Sequence, residues 1–328
     1  MKILEVSRYK NNFADHQLPF VTEQGQSLQA AGCQVDFFLV KGNYLTAGKA
    51  LKTKIRDFQP DIVHAHYGLS AITAELQNEV PVVTTFHNGE TANRLVNFVS
   101  SLFSLRAKHV IYVAEHIPQL LYFVNSHHTI LPCGVSLEDC TVTPYTEARR
   151  QLGWNDDTYY ILFGGRFHDL RKNVVLLREA VDGICKMENG KCKTEIIEMS
   201  GLTREQCVLR MSACDLFALP TKNEGSPQAL KEAMACGCPI VATDCADIKF
   251  LLGNLEGHYL LSNKNTGRHK NAYWVGNDKS IEELRGKIEE AMLLPRGFRT
   301  KGRNRIIELG YTNELVAEKL IEIYKQVL

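Results

Sequence analysis

Short apolar stretches alternate with amphipathic stretches along most of the chain, and this alternation constrains the fold more than any other feature. The apolar stretches predict buried strands, and the spacing of apolar residues between them predicts helices. We expect strands near residues 2–7, 35–40, 61–65, 80–86, 109–113, 129–131, 159–164, 194–199, 215–219 and 239–243. Strands separated by single helices form right-handed βαβ units, so the sequence predicts parallel sheets in an α/β fold.

The length of the chain and a break in this alternation predict two domains. A chain of 328 residues exceeds what one hydrophobic core usually serves. Residues 138–146, which include Pro144, interrupt the pattern and are the expected linker. We therefore expect two doubly wound, Rossmann-like domains, the first over residues 1–143 and the second from residue 144. Ligands bind at the carboxyl ends of the strands in such sheets, so a cleft faced by both domains is the expected site.

The composition excludes several classes of protein. The chain is 45% hydrophobic and 23% charged with a net charge of +1, whereas binding nucleic acid requires a clear basic excess. No apolar run approaches the ~20 residues that span a bilayer, and Glu5 interrupts the apolar run that a signal peptide would need. The ten cysteines lack the paired spacing of a zinc site. We expect a cytoplasmic protein with reduced cysteines, no metal and no cofactor.

One stretch of the second domain joins a loop to a helix and carries two carboxylates. Ser226 is expected to cap this helix, Pro227 to occupy its first position and Gly237 to follow its end. A helix N-terminus presents free N–H groups and a partial positive charge, which favour an anion such as phosphate. Glu224 precedes the helix and Glu232 lies on its polar face, so both flank the anion site. Hydroxyl recognition is the role that we expect for these carboxylates.

This stretch resembles the E-x7-E signature of retaining glycosyltransferases with the GT-B fold, and the chain most resembles glycosyltransferase family 4. The resemblance extends over essentially the whole chain, and further segments support it by their order and spacing. These segments are His64-Ala65-His66-Tyr67-Gly68, Thr84-Thr85-Phe86-His87-Asn88-Gly89-Glu90, Leu131-Pro132-Cys133-Gly134-Val135, Phe163-Gly164-Gly165-Arg166-Phe167 and Arg171-Lys172-Asn173. The resemblance implies an acceptor-side domain over residues 1–143, a nucleotide-sugar domain over 144–310, and a final helix, 311–328, that crosses back to the first domain.

The resemblance also implies a role for each site residue. Glu224 would bind hydroxyls of the donor sugar, and Glu232 would bind the ribose hydroxyls of the nucleotide. Arg166 and Lys172 would neutralise the diphosphate leaving group, and His87 would lie close to the transferred sugar. Backbone groups near the helix start and at the preceding strand end would contact the nucleotide diphosphate. The residues assigned to this contact are Gly165, Gly225, Ser226 and Gln228.

Three departures from the family pattern leave individual contacts open. Pro227 stands where the pattern has a glycine, and it offers no N–H to a phosphate. An extra residue separates Arg166 from Lys172, so Arg171 is an alternative partner for the diphosphate. His87 is followed by Asn-Gly-Glu where the family has Gly-Ser-Asp.

The sequence therefore predicts a retaining, metal-independent glycosyltransferase of bacterial surface polysaccharide synthesis, such as capsule synthesis. Its partners would be a nucleotide diphospho-sugar donor and a saccharide or lipid-linked saccharide acceptor. We favour same-face attack over a carboxylate nucleophile because Glu232 is assigned to ribose. The alternatives are a non-catalytic sugar-binding or assembly homologue and a sugar-nucleotide epimerase. A dinucleotide oxidoreductase is disfavoured because residues 7–13 lack G-x-G-x-x-G.

Two groups of basic side chains have alternative interpretations. His64 and His66 lie on one face of a strand and are interpreted as packing or lining residues, since two ligands alone make a poor metal site. Four cations share one predicted helix and form either a solvated face or a contact for anionic lipid at the inner face of the cell membrane. These cations are Lys49, Lys52, Lys54 and Arg56.

Overall fold

A computed structural model of the protein describes residues 1–11, 17–187, 193–262 and 277–328. The chain forms two compact units, the first made of Met1–Gly134 with Gly310–Leu328 and the second of Val135–Leu309. The division therefore comes earlier than the boundary after residue 143 that the sequence predicts. The guanidinium of Arg303 donates to the carbonyls of Leu137 and Cys140, which ties this intervening segment to the second unit.

Strands and helices alternate along the described part of the chain, as the sequence predicts. The strands are β1 (Lys2–Arg8), β2 (Gln34–Val40), β3 (Ile62–His66), β4 (Val82–Phe86), β5 (His109–Tyr112), β6 (His128–Ile130), β7 (Tyr159–Phe163), β8 (Thr194–Glu198), β9 (Leu216–Leu219), β10 (Ile240–Thr243) and β11 (His258–Leu261). The helices are α1 (Pro19–Ala30), α2 (Ala47–Phe58), α3 (Gly68–Glu75), α4 (Arg94–Ser104), α5 (Tyr145–Leu152), α6 (Val174–Met187), α7 (Arg204–Ala213), α8 (Gln228–Ala235), α9 (Ile248–Leu252), α10 (Asp278–Met292), α11 (Gly302–Glu308) and α12 (Asn313–Val327).

The first unit is built on a parallel sheet of six strands in the order β2-β1-β3-β4-β5-β6. Neighbouring strand residues pack on opposite faces of this sheet: Ile3 and Ile62 lie in one core cluster, and Leu4 and Val63 lie in another. Helices α2 and α3 cover the face that contains Leu4, whereas α1 and α12 cover the face that contains Ile3. Every residue of β3 and β4 is buried, because both faces of the sheet are covered.

The second unit is built on a parallel sheet of five strands in the order β11-β10-β9-β7-β8. Its core joins strand β7, through Ile161 and Phe163, to Leu177 of α6 and Ile288 of α10. The two doubly wound parallel sheets confirm the predicted fold class. The sequence did not predict α5, α9 or β11.

The spacing of apolar residues also predicts a helix over residues 117–123, and this prediction is wrong. Only a single 3-10 turn, Pro118–Leu120, forms in this segment. The side-chain amide of Asn97 on α4 donates to the carbonyl of Leu120, and its oxygen accepts from the backbone N–H of Tyr122. These bonds occupy backbone groups that a helix would use, so the segment lies along α4 instead. Among the described residues, no helix has the length and apolar character needed to cross a bilayer.

Candidate functional site

The loop after β7 begins with two glycines and carries the first predicted cations of the site. A Cβ atom on Gly165 would lie 2.7 Å from Cγ of Lys172, so the absence of a side chain lets the Lys172 stem lie against the strand end. Arg166, the next residue, is exposed to solvent. The loop thus presents one exposed guanidinium and one ammonium held close to the sheet.

Lys172 is directly paired with the carboxylate of Glu224. Its Nζ lies 2.6 Å from Oε1 of Glu224, and the two side chains are only 18% and 13% exposed. Arg171 instead pairs with Asp169 in a mostly exposed contact of 2.8 Å. The carbonyl of Arg171 also accepts from Thr221, which fixes the loop after β7 to the loop that carries Glu224. Between the two candidate cations, the structure brings Lys172 to Glu224.

The helix that follows Glu224 starts later than the sequence predicts. Ser226 does not cap α8; the capping position belongs to Pro227, which is extended with φ −70° and ψ 113°. Its carbonyl accepts the first helical bond, from the N–H of Lys231, so α8 begins at Gln228. At the other end Gly237 has φ +69°, the left-handed conformation predicted for the residue after the helix.

Glu232 lies on α8 in a partly buried ion pair with Arg204, the first residue of α7. Burial raises the pKa of the Glu232 carboxyl above its usual value, although the charge of Arg204 opposes the shift. A capping box between Thr203 and Gln206 fixes the start of α7 and therefore the position of Arg204. Arg204 was not predicted as a site residue, because no sequence motif links it to Glu232, which is distant along the chain.

Two further charged side chains, those of Asp247 and Lys231, lie beside the start of α8. Burial raises the pKa of the Asp247 carboxyl to about 6, while Ser226 and Lys231 beside it favour its charged form. Lys231 is fully buried, and its charge also lowers the pKa of the Glu232 carboxyl. The residues around α8 therefore hold an alternating set of cations and carboxylates in which both glutamates of the E-x7-E stretch are compensated.

In the first unit, His87 follows the end of β4 and is half-buried. Its ring lies 4.6 Å from the ring of Phe20 and 4.7 Å from that of Tyr67, measured between centroids. Its Nε2 lies 3.2 Å from Nδ1 of His66, and its Nδ1 lies 3.9 Å from Sγ of Cys133. His87 is thus wedged between side chains at the carboxyl ends of the strands, where a ligand site is expected.

Beneath His87 lies a fully buried group formed by Glu5, His64 and His66, whose ligand atoms all lie within 4.8 Å of one another. Nε2 of His66 lies 2.7 Å from Glu5 Oε2, and Nδ1 of His64 lies 2.6 Å from the hydroxyl of Tyr324. The amide nitrogen of Gln24 is 3.3 Å from Glu5 Oε1 and 3.4 Å from Nε2 of His66. The nitrogens of both histidines already have hydrogen-bond partners, so hydrogen bonding accounts for this group, in line with the predicted packing role.

Glu5 was not identified as a site residue from the sequence. Its signal is a single carboxylate in the otherwise apolar stretch Ile3-Leu4-Glu5-Val6 of β1. Burying an ionisable group there is unfavourable unless it has partners, and these are supplied by β3 and α1.

Solved structures resemble this fold over the full chain. Sucrose-phosphate synthase from Thermosynechococcus elongatus superposes with a TM-score of 0.78 at 18% identity, over 99% of this chain and 98% of that one. Anabaena HepE, in complex with UDP and glucose, superposes with a TM-score of 0.72 at 14% identity, over 99% and 100% of the two chains. The family model described as Glycosyltransferase Family 4 matches residues 35–139, and that described as Glycosyl transferases group 1 matches residues 158–273. The chain therefore has the GT-B fold and contains segments that two glycosyltransferase family models match.

Curated relatives are identical to this chain at about a quarter of the aligned residues. The putative teichuronic acid biosynthesis glycosyltransferase TuaC of Bacillus subtilis is 27% identical over 250 residues, which are 66% of this chain and 62% of TuaC. A Campylobacter jejuni N,N'-diacetylbacillosaminyl-diphospho-undecaprenol alpha-1,3-N-acetylgalactosaminyltransferase is 24% identical over 325 residues, 89% of this chain and 82% of that protein. The matches span only 62% of TuaC and 57% of a D-inositol 3-phosphate glycosyltransferase from Pseudarthrobacter chlorophenolicus.

Proposed function

We propose that the protein is a retaining glycosyltransferase that moves a sugar from a nucleotide diphospho-sugar to a saccharide or lipid-linked saccharide in bacterial surface polysaccharide synthesis. The observation that carries the proposal is the pairing of Glu224 with Lys172 and of Glu232 with Arg204. Both pairs lie in the unit that contains the match to group 1 glycosyltransferases. Such pairs combine acceptors for sugar hydroxyls with cations for a diphosphate.

The donor is expected to bind around the start of α8. Glu224 would accept hydrogen bonds from sugar hydroxyls, and the oxygen of Glu232 not bonded to Arg204 would accept from the ribose. Lys172 and the exposed Arg166 would stabilise the negative charge of the diphosphate. Backbone groups near the helix start would add further contacts. They belong to Gly165, Gly225, Ser226 and Gln228.

Transfer with retention and without a metal is part of the proposal. The acceptor oxygen would attack the anomeric carbon from the face that the diphosphate leaves, and a phosphate oxygen would take the acceptor's proton. The cations and the N-terminus of α8 would supply the positive charge that a metal supplies elsewhere. The NMR coupling constants of the first product decide the anomer, and transfer in excess EDTA decides the metal requirement. An inverted product, or loss of activity that added Mg²⁺ restores, contradicts this part.

Donor binding can be tested before any acceptor is known. We expect one nucleotide diphospho-sugar in a panel to raise the melting temperature, because a ligand that binds only the folded state stabilises it. The same donor should give a smaller shift with Glu232→Gln and a normal shift with Glu195→Gln, a change at an exposed carboxylate of β8. If no nucleotide sugar stabilises the wild type, the transferase proposal fails, and a non-catalytic homologue becomes the better description. Release of an epimerised sugar nucleotide without acceptor would indicate an epimerase instead.

A recess in the first unit with both polar and apolar lining residues is the proposed acceptor contact. Its lining includes two cations, two tyrosines and a buried carboxyl at the carboxyl end of the sheet. These residues are Arg8, Lys10, Tyr44, Tyr67 and Glu90. Aromatic rings and a carboxyl suit a saccharide, and the two cations suit a phosphate that links it to a carrier. The name of the Campylobacter relative, which specifies a diphospho-undecaprenol, supports such a carrier.

Helix α4 supports contact with the membrane, because its polarity is reversed. Its buried face is polar and formed by Asn97, Ser100, Ser101 and Ser104, whereas its exposed face is apolar. Leu95 is 71% exposed, and Phe98 and Leu102 are each 43% exposed. The basic residues Arg94, Arg106 and Lys108 lie in this region, and residues 91–114 contain no Asp or Glu. An apolar face with basic residues beside it suits an anionic lipid surface, although Arg106 also lies 3.8 Å from a carboxylate oxygen of Glu75.

Vesicle binding distinguishes this surface from the cations of α2. Two of those cations already have carboxylate partners, since Lys54 pairs with Asp36 and Arg56 with Glu79. We expect a triple change of the exposed α4 residues to serine to reduce binding to phosphatidylglycerol vesicles at least tenfold. Charge reversal of α2 should have a smaller effect. Equal binding by the α4 variant and the wild type contradicts membrane contact through α4.

A further inference from the structure

Three side chains in the first unit form a continuous line from the interior to the surface. Glu5 of β1 and His66 of β3 are fully buried, and their Oε2 and Nε2 atoms are 2.7 Å apart. His66 Nδ1 lies 3.2 Å from Nε2 of His87, and the two rings stack with centroids 5.4 Å apart. Only His87, at the outer end of this line, is partly exposed. We call these three residues the Glu5–His66–His87 line.

The charge of Glu5 determines which atoms of the line carry hydrogen. Burial alone would raise the pKa of the Glu5 carboxyl, but His64, His66 and Gln24 outweigh it, so the pKa lies below its usual value. An ionised carboxylate only accepts hydrogen bonds, so Nε2 of His66 must donate. If His66 is neutral, its Nδ1 accepts a hydrogen bond. The donor of that bond is the Nε2–H of His87. The Nδ1 of His87 is left with a lone pair.

His64 does not share the charge of this line. Burial lowers its pKa to about 3, so its ring is neutral near neutral pH. Its two nitrogens bond the hydroxyls of Tyr324 and Thr85, at 2.6 and 2.7 Å. The carboxylate of Glu5 is therefore connected to His87 through the hydrogen bonds of His66, and His64 takes no part in this connection.

Other groups also face His87 from the elements packed against it, whereas the contact through His66 leads to Glu5. Cys133 approaches its Nδ1, and the rings of Phe20 and Tyr67 pack against it. Its backbone N–H bonds the carboxyl of Glu90, whose pKa is raised to about 7 by burial. Glu23 on α1 lines a small recess together with Phe20 and Cys133.

We propose that Glu5 and His66 are positioning residues that fix the Nε2–H tautomer of His87 and increase its proton affinity. The tautomer and proton affinity of His87 do not depend on the proposed function. Only the role of His87 beside the transferred sugar rests on that proposal. In other functional sites, an ionised carboxylate that accepts a hydrogen bond from one ring nitrogen of a histidine fixes the tautomer and orientation of that ring. A buried ionised carboxylate must have its negative charge stabilised by neighbouring groups. The hydrogen bonds of the line extend this interaction from Glu5 to the half-exposed ring of His87.

NMR of histidine side-chain nitrogens in the protein alone tests the proposal. The signal of His87 is identified by its loss in His87→Gln, and its tautomer and pKa are compared between the wild type and Glu5→Gln. We expect the wild type to be the Nε2–H tautomer, and we expect Glu5→Gln to lower the pKa of His87 by about one unit and to mix the tautomers. The control is Glu75→Gln, which removes a buried carboxyl of α3 outside the line and should leave both unchanged. An unchanged tautomer and pKa in Glu5→Gln overturn the proposal.

A second variant and a second readout keep the outcomes separate. If Glu5→Gln does not fold, His66→Gln interrupts the same line with the carboxylate retained and should produce the same fall in the pKa of His87. A normal pKa in that variant also overturns the proposal. If the pKa of His87 shifts while the pH profile of transfer does not, the line is supported, and the role of His87 in the proposed reaction is rejected.

Discussion

Glu5 in the first unit and Glu224 in the second are both compensated carboxylates, but the compensation differs. Glu224 is paired with the ammonium group of Lys172, and both side chains retain some exposure. Glu5 is instead bonded to the neutral amide of Gln24 and to the ring of His66, and it is fully buried. A ligand can therefore exchange with the cation beside Glu224, whereas the charge of Glu5 can act only through its neighbours.

The different partners of Glu5 and Glu224 indicate different roles for the two units. Half-buried pairs of carboxylate and cation offer ready-made partners to hydroxyls and phosphates, so the second unit is suited to recognition. A carboxylate held by histidines responds to protons, because histidine alone among these partners titrates near neutral pH. The predictions below test this contrast between the two units.

The largest effect is expected from Glu224→Ala. Removal of this carboxylate deletes the proposed hydroxyl contact and leaves Lys172 without its partner, so transfer should fall by about 10²-fold or more. Steady-state kinetics with the identified donor measure the effect, and circular dichroism checks the fold. Glu195→Ala serves as the control for loss of a carboxylate in the same unit. Activity within a factor of two of the wild type would remove Glu224 from the site.

A smaller effect, confined to donor binding, is expected from Arg204→Ala. Without this cation, burial raises the pKa of Glu232 further, so a larger share of the carboxyl is protonated as the pH falls. The KM for the donor should rise about tenfold near neutral pH and rise more steeply on acidification than in the wild type. Arg210→Ala, at an exposed position on the same helix, is the matched control. A KM that keeps the wild-type pH dependence contradicts the role of this pair.

The first unit should show its pH sensitivity in stability, through Glu90. Burial raises the pKa of this carboxyl from 4.5 to about 7, so its contribution to folding is present below about pH 4.5 and lost as the pH rises through about 7. The change is at most on the order of 3 kcal/mol. Glu90→Gln should remove this dependence, as measured by urea unfolding at several pH values. Glu115→Gln, at an exposed position, should retain it.

The smallest effect is expected from Arg171→Ala. Its pair with Asp169 is mostly exposed, so its loss should change the free energy of unfolding by less than about 1 kcal/mol. Transfer should also remain near the wild-type rate, whereas Lys172→Ala should reduce it. Equal losses of transfer activity in the two variants would show that the half-buried pair of Lys172 and Glu224 contributes no more to transfer than the exposed Arg171. The reverse ranking would make Arg171 the cation of the diphosphate.

Much of the fold follows from local sequence pattern. The buried runs of β3 and β4 and the spacing within α2 appear in the sequence nearly as the structure has them, because short apolar runs and a periodic helix are local signals. The missing helix at residues 117–123 shows the limit of this approach. Its conformation is set by bonds to Asn97, a partner on another helix that periodicity does not identify.

The candidate site shows the same limit. Glu224 and Glu232 were found because a motif carries both, and Lys172 because the resemblance extends to its loop. Arg204 and Glu5 were not found, since their partners come from elements far along the chain and meet only after the sheets form. Charged side chains inside apolar strands, such as Glu5, are a sequence signal worth following.

The return of α12 to the first unit has a consequence for protein engineering. The first unit cannot be produced by simply ending the gene at Gly134, because the apolar face that contains Ile3 would lose Leu320 and Tyr324. Gly134 lies against Asn313, where an added Cβ would come within 2.8 Å of the Asn313 Cα. A short linker in place of the second unit would therefore let one continuous gene encode the first unit with its last helix.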